Sequence, residues 1–278
     1  MPISGKAKLA GVIGWPVAHS RSPRLHNFWL ARHGIDGAYV PLAVAPADFA
    51  AAVRGLRAAG FRGANVTIPH KEAAFAICDA VDETSQRAGA VNTLVFGPDG
   101  IAGSNTDGTG FIANLRAHGV DPAAGPALLL GAGGAARAIA AALLALGVRV
   151  SIANRSPARA AALAQALPGL HILAWEQRES ALADHPLLVN TTSLGMHGAP
   201  KLQLDLARAP DTLAVADIVY VPLTTPLLAD AAARGLHAVG GLGMLLHQAV
   251  PGFAAWFGIT PVVDQEVTDL LAADIPAQ

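Results

Sequence analysis

The segment Ala127-Leu-Leu-Leu-Gly-Ala-Gly-Gly-Ala-Ala-Arg137 limits the possible folds of this 278-residue chain more than any other stretch. Its apolar run ends in a glycine cluster and continues as an alanine-rich helix pattern, which is the order of a buried strand, a tight turn and a helix. Gly131 would form the turn, and Gly133 has no side chain to keep a pyrophosphate away from the backbone. Together with a strand over 148–153, the pattern predicts a βαβ unit that binds a dinucleotide at the helix N-terminus.

Strand and helix patterns alternate along the rest of the chain, and this alternation predicts an α/β protein with mostly parallel sheets. Ligands of such sheets bind off the carboxyl ends of the strands. Gly-Pro-Asp-Gly at 97–100 predicts a hairpin, which we expect to close the first sheet. Strands are predicted at 8–14, 38–43, 63–67, 90–96, 101–104, 127–130, 148–153, 187–190, 213–217 and 237–239. Helices are predicted at 23–32, 48–59, 109–118, 134–146, 157–167 and 227–234, after Lys71, and in the tail from Gly243.

The charge balance excludes several classes of partner. Nineteen basic and twenty acidic residues give a formal net charge of −1, so nucleic acid and anionic membranes are not expected partners. Cys78 is the only cysteine, which excludes an intrachain disulfide and fits a reducing cytoplasm. The N-terminus lacks the basic and then apolar build of a signal peptide. The uncharged stretch 235–263 could span a bilayer by length, but its polar residues, proline and glycines favour a buried loop and helix.

Polar residues follow successive predicted strands of the first half. A single serine or asparagine in such a place more often caps a helix or a turn, so the repetition is what favours a binding site. Hydroxyls, amides and charges together suit a small polyhydroxy acid, since each of its buried polar groups needs a partner. The clusters are Ser20 with Ser22; Asn65, Thr67 and Lys71; and Asn92 with Asn105 and Asp107.

Lys71 is the candidate proton carrier of a nicotinamide oxidoreductase that acts on an alcohol. Such an enzyme must remove the hydroxyl proton as the hydride leaves. Asp107 is the candidate partner of this lysine. Taken alone, Lys71 would more often be a solvated surface residue, so the hypothesis depends on its neighbours.

The second dinucleotide strand indicates which cofactor is bound. An NAD enzyme usually has an acidic residue at the end of this strand to accept hydrogen bonds from the ribose. Here Arg155 and Arg159 could bind the 2′-phosphate of NADP, and Asn154 and Ser156 add neutral donors. Arg159 alone would more often be an ordinary solvated helix residue, but the pair of arginines after a glycine loop favours a phosphate site. The segment therefore predicts NADP.

A series of motifs runs in order along nearly the whole chain. The motifs are His19-Ser-Arg-Ser-Pro23, Asn65-Val-Thr-Ile-Pro-His-Lys71, Ala88-Gly-Ala-Val-Asn-Thr-Leu94, Asn105-Thr-Asp-Gly108, Gly131–Ala136, Asn154-Arg-Ser156, Asn190-Thr-Thr-Ser-Leu-Gly-Met196, Asp217-Ile-Val-Tyr-Val-Pro222 with Thr225-Pro226, and Gly241-Leu-Gly-Met-Leu-Leu-His-Gln248. This ordered set resembles the shikimate dehydrogenase family and is highly specific for it. Ala136, where many members have serine, and Ser104 depart from the family pattern at positions without an expected catalytic role.

The resemblance implies a role for each matched residue. Lys71 and Asp107 would be the catalytic pair, and Tyr220 would lie near the substrate. Ser20 and Ser22 would bind the substrate carboxylate. The ring hydroxyls would be bound by Thr67, Asn92, Asp107 and Gln248. The cofactor would contact Gly131, Ala132, Gly133, Gly134, Ala135, Asn154, Arg155, Ser156 and Arg159, with Ile218, Gly241 and Met244 around the nicotinamide.

The resemblance also implies the domain organisation and the reaction. A substrate-binding α/β domain would span 1–104, and an NADP-binding Rossmann domain would span 105–240. A C-terminal helical segment, 241–278, would pack back on the first domain. The protein would interconvert 3-dehydroshikimate and shikimate with NADP in the chorismate pathway to aromatic amino acids, without a metal, as a cytoplasmic monomer or homodimer.

Two alternative functions fit the same sequence. A paralogue acting on quinate or an aminated shikimate would use the same carboxylate, hydroxyl and lysine contacts, and the loops around Ser20, Thr67 and Tyr220 would decide between them. A non-catalytic ligand sensor could keep the fold and the dinucleotide site. The presence of both Lys71 and Asp107, and the absence of a basic patch, argue against the sensor.

Overall fold

Apolar runs form the strands of two six-stranded sheets in the computed structural model, which describes residues 3–275. The described chain divides into two compact units. The first contains residues up to 106 together with 248–271, and the second contains 107–247 and the residues from 272 onward. The strands are β1 Lys8–Gly14, β2 Gly37–Ala43, β3 Gly63–Val66, β4 Ala80–Val81, β5 Thr93–Gly97, β6 Gly100–Ser104, β7 Ala127–Leu130, β8 Val150–Ala153, β9 Leu170–Leu173, β10 Leu187–Asn190, β11 Ala214–Asp217 and β12 His237–Val239. The helices are α1 Ser22–Arg32, α2 Phe49–Ala58, α3 Lys71–Ile77, α4 Glu83–Ala88, α5 Asp107–Ala117, α6 Gly134–Ala145, α7 Pro157–Ala166, α8 Pro226–Ala233, α9 Leu242–Phe257 and α10 Gln265–Ala272.

The first sheet is mixed and has the order β2-β1-β3-β5-β6-β4. β1 pairs in parallel with β2 and β3, whereas β5 is antiparallel to β3 and β6. The strand order reverses between β1 and β3, so the loops that follow these two strands lie side by side. Trp15 N–H donates to Ile68 O across them at 3.0 Å. Open α/β sheets bind their ligands at such a reversal, at the carboxyl ends of the strands.

The second sheet is entirely parallel and has the order β12-β11-β10-β7-β8-β9. Leu129 of β7 packs in the core on one face of this sheet, whereas Leu128 and Leu130 pack in the core on the other. Burial on both faces explains why these strands read as continuous apolar runs. The order is that of a Rossmann fold, with its reversal between β7 and β10.

Residues 248–271 pack within the first unit. Trp256 of α9 donates its indole N–H to Leu94 O at 2.9 Å. Arg32 of α1 forms ion pairs of 2.7 Å with both Asp264 and Glu266. Among the helices of residues 3–275, none combines the length and the apolar character that crossing a membrane would require.

All the predicted strands are present, but the expectation that the hairpin closes the first sheet is wrong. The two-residue strand β4 pairs outside β6 and forms the edge. A strand this short has no periodic pattern. The sequence pattern also does not predict β9, which is a partly exposed edge strand, or α4. Helix α4 has few apolar residues, and its signals are local: Asp82 Oδ1 accepts from Ser85 N–H at 2.8 Å, and Gly89 ends the helix with φ +58°.

An aromatic cluster in the first unit encloses His26. Its ring stacks on Tyr39 with centroids 4.0 Å apart. The rings of Trp29, Phe253 and Trp256 lie 5.7 to 5.9 Å away. Burial lowers the pKa of His26 to about 3. The folded protein therefore keeps this imidazole neutral well below the pH at which an exposed histidine is protonated.

We expect His26→Phe to reduce the acid sensitivity of the fold. The pKa of His26 is about 6.5 when unfolded and about 3 when folded. Its contribution to stability is therefore complete above pH ~6.5 and falls by about 1.4 kcal/mol per pH unit below it. Between pH 6 and 4 the unmodified protein should lose about 2 to 3 kcal/mol more unfolding free energy than the variant, measured by urea denaturation. Parallel pH profiles for the two proteins would contradict this expectation.

Candidate active site

The loop after β1 presents two serines at the carboxyl edge of the first sheet. Ser22 begins α1 and is buried, and its N–H donates to Ser20 Oγ at 3.3 Å. The Tyr39 hydroxyl is hydrogen-bonded to Ser22 and donates to Asn65 Oδ1 at 2.6 Å. Burial raises the pKa of the Tyr39 phenol, which keeps it protonated. The serine hydroxyls are thus held at the start of a helix, where an anion is favoured.

Strand register brings Asn92 to the same edge, because Asn65 lies opposite Thr93 in the β3–β5 pair. Asn92 Oδ1 accepts from Thr93 Oγ1 at 3.0 Å and from Thr106 N–H at 2.9 Å. Asn92 Nδ2 donates to Thr106 Oγ1 at 3.0 Å and approaches Gln248 Oε1 at 3.5 Å. The network therefore fixes the Asn92 amide and brings Gln248 of α9 beside it.

Lys71 begins α3 and is partly buried. Its carbonyl oxygen accepts from Val91 N–H at 3.0 Å. The preceding residue, His70, is buried, with Nε2 hydrogen-bonded to Val44 O at 2.8 Å and its ring stacked on Phe49 at 4.7 Å. These contacts anchor the backbone from which the lysine side chain extends.

Thr67 and Asp107 belong to different units. Thr67 follows β3 in the first unit, and its N–H donates to Ile13 O at 2.9 Å. Asp107 begins α5 in the second unit and is partly buried. In the chain it directly follows Thr106, which is bonded to Asn92.

The glycine loop after β7 has two distinct parts. Gly131 has φ +116° and donates its N–H to Ala153 O at 2.9 Å, and a Cβ there would lie 2.5 Å from Thr191 Oγ1. Gly133 and Gly134 are exposed at the start of α6, and an added Cβ at either would meet no atom within 4 Å. Ala132 and Ala135 are partly buried. The loop is tight where it faces the sheet and open in front of the helix, which fits a dinucleotide pyrophosphate.

The turn after β8 presents the two arginines to solvent. Asn154 Nδ2 donates to Ser156 O at 2.9 Å and closes this turn, and Ser156 precedes α7. Arg155 and Arg159 are both exposed. Their guanidinium groups are therefore accessible to a phosphate.

A buried carboxylate organises the end of β11. Asp217 accepts from Asn190 Nδ2 at 3.0 Å, from Val219 N–H at 3.0 Å and from Thr225 Oγ1 at 2.7 Å. Burial raises the pKa of Asp217, and these hydrogen bonds act in the opposite direction. The turn that follows carries Ile218 and Tyr220, both partly buried.

Close backbone packing also sets the start of α9. A Cβ at Gly241 would lie 2.3 Å from Ile218 O, so only glycine fits there. Ile218, Met244 and Ala132 pack against one core cluster of the second unit. This common packing places Ile218 and Met244, two of the three residues expected at the nicotinamide, on the side of the sheet that holds the glycine loop.

Three residues of this arrangement are not among the site residues predicted from the sequence. For Tyr39 the sequence predicts only a strand, and within their motifs it gives no separate role to Thr93 or Thr106. Asn65 and Asn105, which the sequence groups with the polar residues at the strand ends, are both buried and hydrogen-bonded within the protein. Asn65 Nδ2 donates to Asn92 O at 3.2 Å, and Asn105 Nδ2 donates to Ala90 O at 3.0 Å. Within residues 3–275, no group of three or more His, Cys, Asp or Glu side chains is arranged to hold a metal ion.

Comparison with known proteins gives consistent matches in both halves of the chain. Residues 12–94 match the family model of the shikimate dehydrogenase substrate binding domain, and residues 118–222 match that of shikimate / quinate 5-dehydrogenase. The shikimate dehydrogenase (NADP(+)) of Acidiphilium cryptum is 71% identical over 275 residues, which are 99% of this chain and 99% of that protein.

Two solved structures are similar over almost the full length. The shikimate 5-dehydrogenase of Thermus thermophilus, in complex with NADP(H) and shikimate, is 39% identical with a TM-score of 0.86, and the match covers 96% of this chain and 98% of that one. The quinate dehydrogenase of Corynebacterium glutamicum, in complex with NAD, is 29% identical with a TM-score of 0.89, and the match covers 96% and 99%. The same fold thus occurs in complexes with NADP(H) and with NAD.

We expect Gly131→Ala and Gly133→Ala to differ in stability. At Gly131 the added methyl would meet Thr191 Oγ1 in a backbone conformation that L-residues rarely adopt, and this should cost about 1 to 3 kcal/mol. At Gly133, φ is −97° and the added methyl meets nothing, so the change should stay within about 0.5 kcal/mol. Urea unfolding of the two variants measures the difference, and equal stabilities would show that the loop is not constrained in this way.

Proposed function

This chain belongs to the shikimate dehydrogenase family and is an NADP-dependent oxidoreductase, and on that premise we propose that it catalyses the reversible reduction of 3-dehydroshikimate to shikimate. The observation that carries this proposal is the hydrogen-bonded path from Ser22 through Tyr39, Asn65 and Asn92 to Gln248. A ring acid with several hydroxyls needs a binding surface rich in polar groups, such as this edge of the first sheet, because a buried polar group left unpaired weakens binding. The product would enter the chorismate pathway to aromatic amino acids.

The substrate would be held by its carboxylate and its ring hydroxyls. We assign the carboxylate to the hydroxyls of Ser20 and Ser22, because they sit together at the start of α1. Tyr220 would lie near the substrate. The ring hydroxyls are assigned to Thr67, Asn92, Asp107 and Gln248.

NADPH, when bound, supplies the hydride for the carbonyl carbon. Lys71 would give a proton to the C3 oxygen as the hydroxyl forms and would take it back in the reverse reaction. Its anchored backbone, between the packed His70 and the Val91 hydrogen bond, limits where the ammonium can lie. Asp107 would orient the Lys71 ammonium and the adjacent hydroxyl of the substrate.

The second unit would bind NADP. The pyrophosphate would lie over Gly131, Ala132, Gly133, Gly134 and Ala135, and the 2′-phosphate would meet Asn154, Arg155, Ser156 and Arg159. Ile218, Gly241 and Met244 would flank the nicotinamide. The domains we propose are 1–104 for substrate, 105–240 for NADP and 241–278 as the returning helical segment, and we place the reaction in the cytoplasm.

Quinate is the second candidate substrate, because the quinate dehydrogenase of Corynebacterium glutamicum shares the fold over 96% of this chain. The higher identity to the Acidiphilium cryptum relative favours shikimate. The exposed arginine pair also favours NADP over the NAD found in the quinate dehydrogenase structure.

Replacing Lys71 tests the proposed chemistry. Lys71→Ala should lower kcat by about a hundredfold or more and leave KM within a few-fold, because the proton carrier is lost but the binding contacts remain. Lys6→Ala removes an exposed lysine of the same unit and should leave both constants unchanged. Steady-state rates of 3-dehydroshikimate reduction give kcat and KM for both variants. Near-normal turnover of Lys71→Ala would assign the proton transfer to another group.

Replacing Arg155 tests the cofactor contacts. The unmodified protein should prefer NADP over NAD by at least about tenfold in kcat/KM, which corresponds to ~1.4 kcal/mol. Arg155→Ala should remove much of this preference and barely change the rate with NAD. Arg149→Ala, an exposed arginine at the other end of β8, is the matched control. If Arg155→Ala and Arg149→Ala kept the same preference, the phosphate would be bound elsewhere.

A further inference from the structure

Helix α5, which begins at Asp107, is fixed by buried contacts at two points. A Cβ at Gly108 would lie 2.4 Å from Ala138 O, so the backbones of α5 and α6 are in direct contact there. About two turns after Asp107, on the same face of the helix, Asn114 is only 2% exposed. Its Nδ2 donates to Gly240 O at 2.9 Å. These contacts determine where the first residue of α5 can lie.

The Asn114 amide also occupies the space against the start of α9. A Cβ at Gly243 would lie 1.9 Å from Asn114 Oδ1 and 2.7 Å from its Cγ, and Asn114 supplies the three nearest atoms. In the sequence, Gly241 lies between Gly240 and Gly243, and Met244 follows directly. One side chain of α5 therefore contacts the segment on both sides of Gly241.

The hydrogen bond, rather than packing alone, explains an asparagine at this position. Among residues 3–275, the buried Asn114 Oδ1 accepts no hydrogen bond. A buried acceptor without a partner costs stability, and an apolar side chain of similar shape would avoid that cost. What only the asparagine provides is the directional N–H bond to Gly240 O.

We infer that Asn114 is a positioning residue for hydride transfer. It sets the placement of α5, and with it the Asp107 carboxylate, relative to the 240–244 segment. This inference rests on the proposed function, which gives Asp107 a catalytic role and places Gly241 and Met244 beside the nicotinamide. Displacement of reacting groups by about 1 Å can lower a rate by about a hundredfold, so loss of this bond should reduce turnover more than binding.

The first experiment compares Asn114→Leu with Ser151→Ala. The leucine keeps the branched shape and the number of heavy atoms of the asparagine side chain and removes the hydrogen-bond donor. Ser151→Ala removes a buried hydrogen bond of 2.9 Å to His185 in the same unit, away from the proposed site. Asn114→Leu should lower kcat by about tenfold or more with both KM values within about threefold, and should raise the primary isotope effect with C4-deuterated NADPH. Ser151→Ala should lose stability but keep kcat and the isotope effect.

A second pair of variants separates positioning from folding. Gly243→Ala should lower both the melting temperature and kcat, because its methyl overlaps the Asn114 amide. The double variant Asn114→Ala/Gly243→Ala should regain the melting temperature, since the overlapping atoms are gone, while kcat stays low because the bond to Gly240 is absent.

Normal kcat and isotope effect in Asn114→Leu, or recovery of kcat in the double variant, would overturn the positioning role while the proposed function stands. If the unmodified protein did not reduce 3-dehydroshikimate with NADPH, the proposed function itself would fail, and the positioning role with it.

Discussion

Every polar side chain buried at the carboxyl edge of the first sheet must find a hydrogen-bond partner inside the protein, and the site depends on how this requirement is met. Asn92 shows it most clearly. Its amide is bonded on both sides, to Thr93 and Thr106, and these bonds fix the end of the first unit at the point where the chain continues to Asp107. A network satisfied in this way holds its members in one geometry. The proposed binding groups are thus ordered before any ligand arrives.

The second unit depends instead on positions that have no side chain. At Gly131 and Gly241 an added methyl would overlap Thr191 or a backbone carbonyl, whereas at Gly133 and Gly134 it would enter open space. The first pair lets the loops pack against the sheet, and the second pair leaves the N-terminus of α6 accessible. A helix N-terminus with free N–H groups and no side chain in front suits a pyrophosphate.

The sequence predicts those features that are determined by residues close together in the chain. Continuous apolar runs and the glycine cluster predicted the strands and the dinucleotide loop, because both faces of the second sheet are buried. The sequence does not predict β4, because this strand is only two residues long and is defined by its pairing with β6. It also could not show that Asn65 supports the site through Tyr39 rather than facing a ligand, because that bond joins strands 26 residues apart. Register creates such contacts, and no local pattern encodes them.

The most direct test of the central claim compares substrates and cofactors in one assay, followed by the absorbance of the reduced nicotinamide. The unmodified protein should oxidise shikimate with NADP, and its kcat/KM for shikimate should exceed that for quinate by about tenfold or more. Equal or better use of quinate, or of NAD with either acid, would contradict the assignment. The polar edge of the first sheet would then serve a different ring acid.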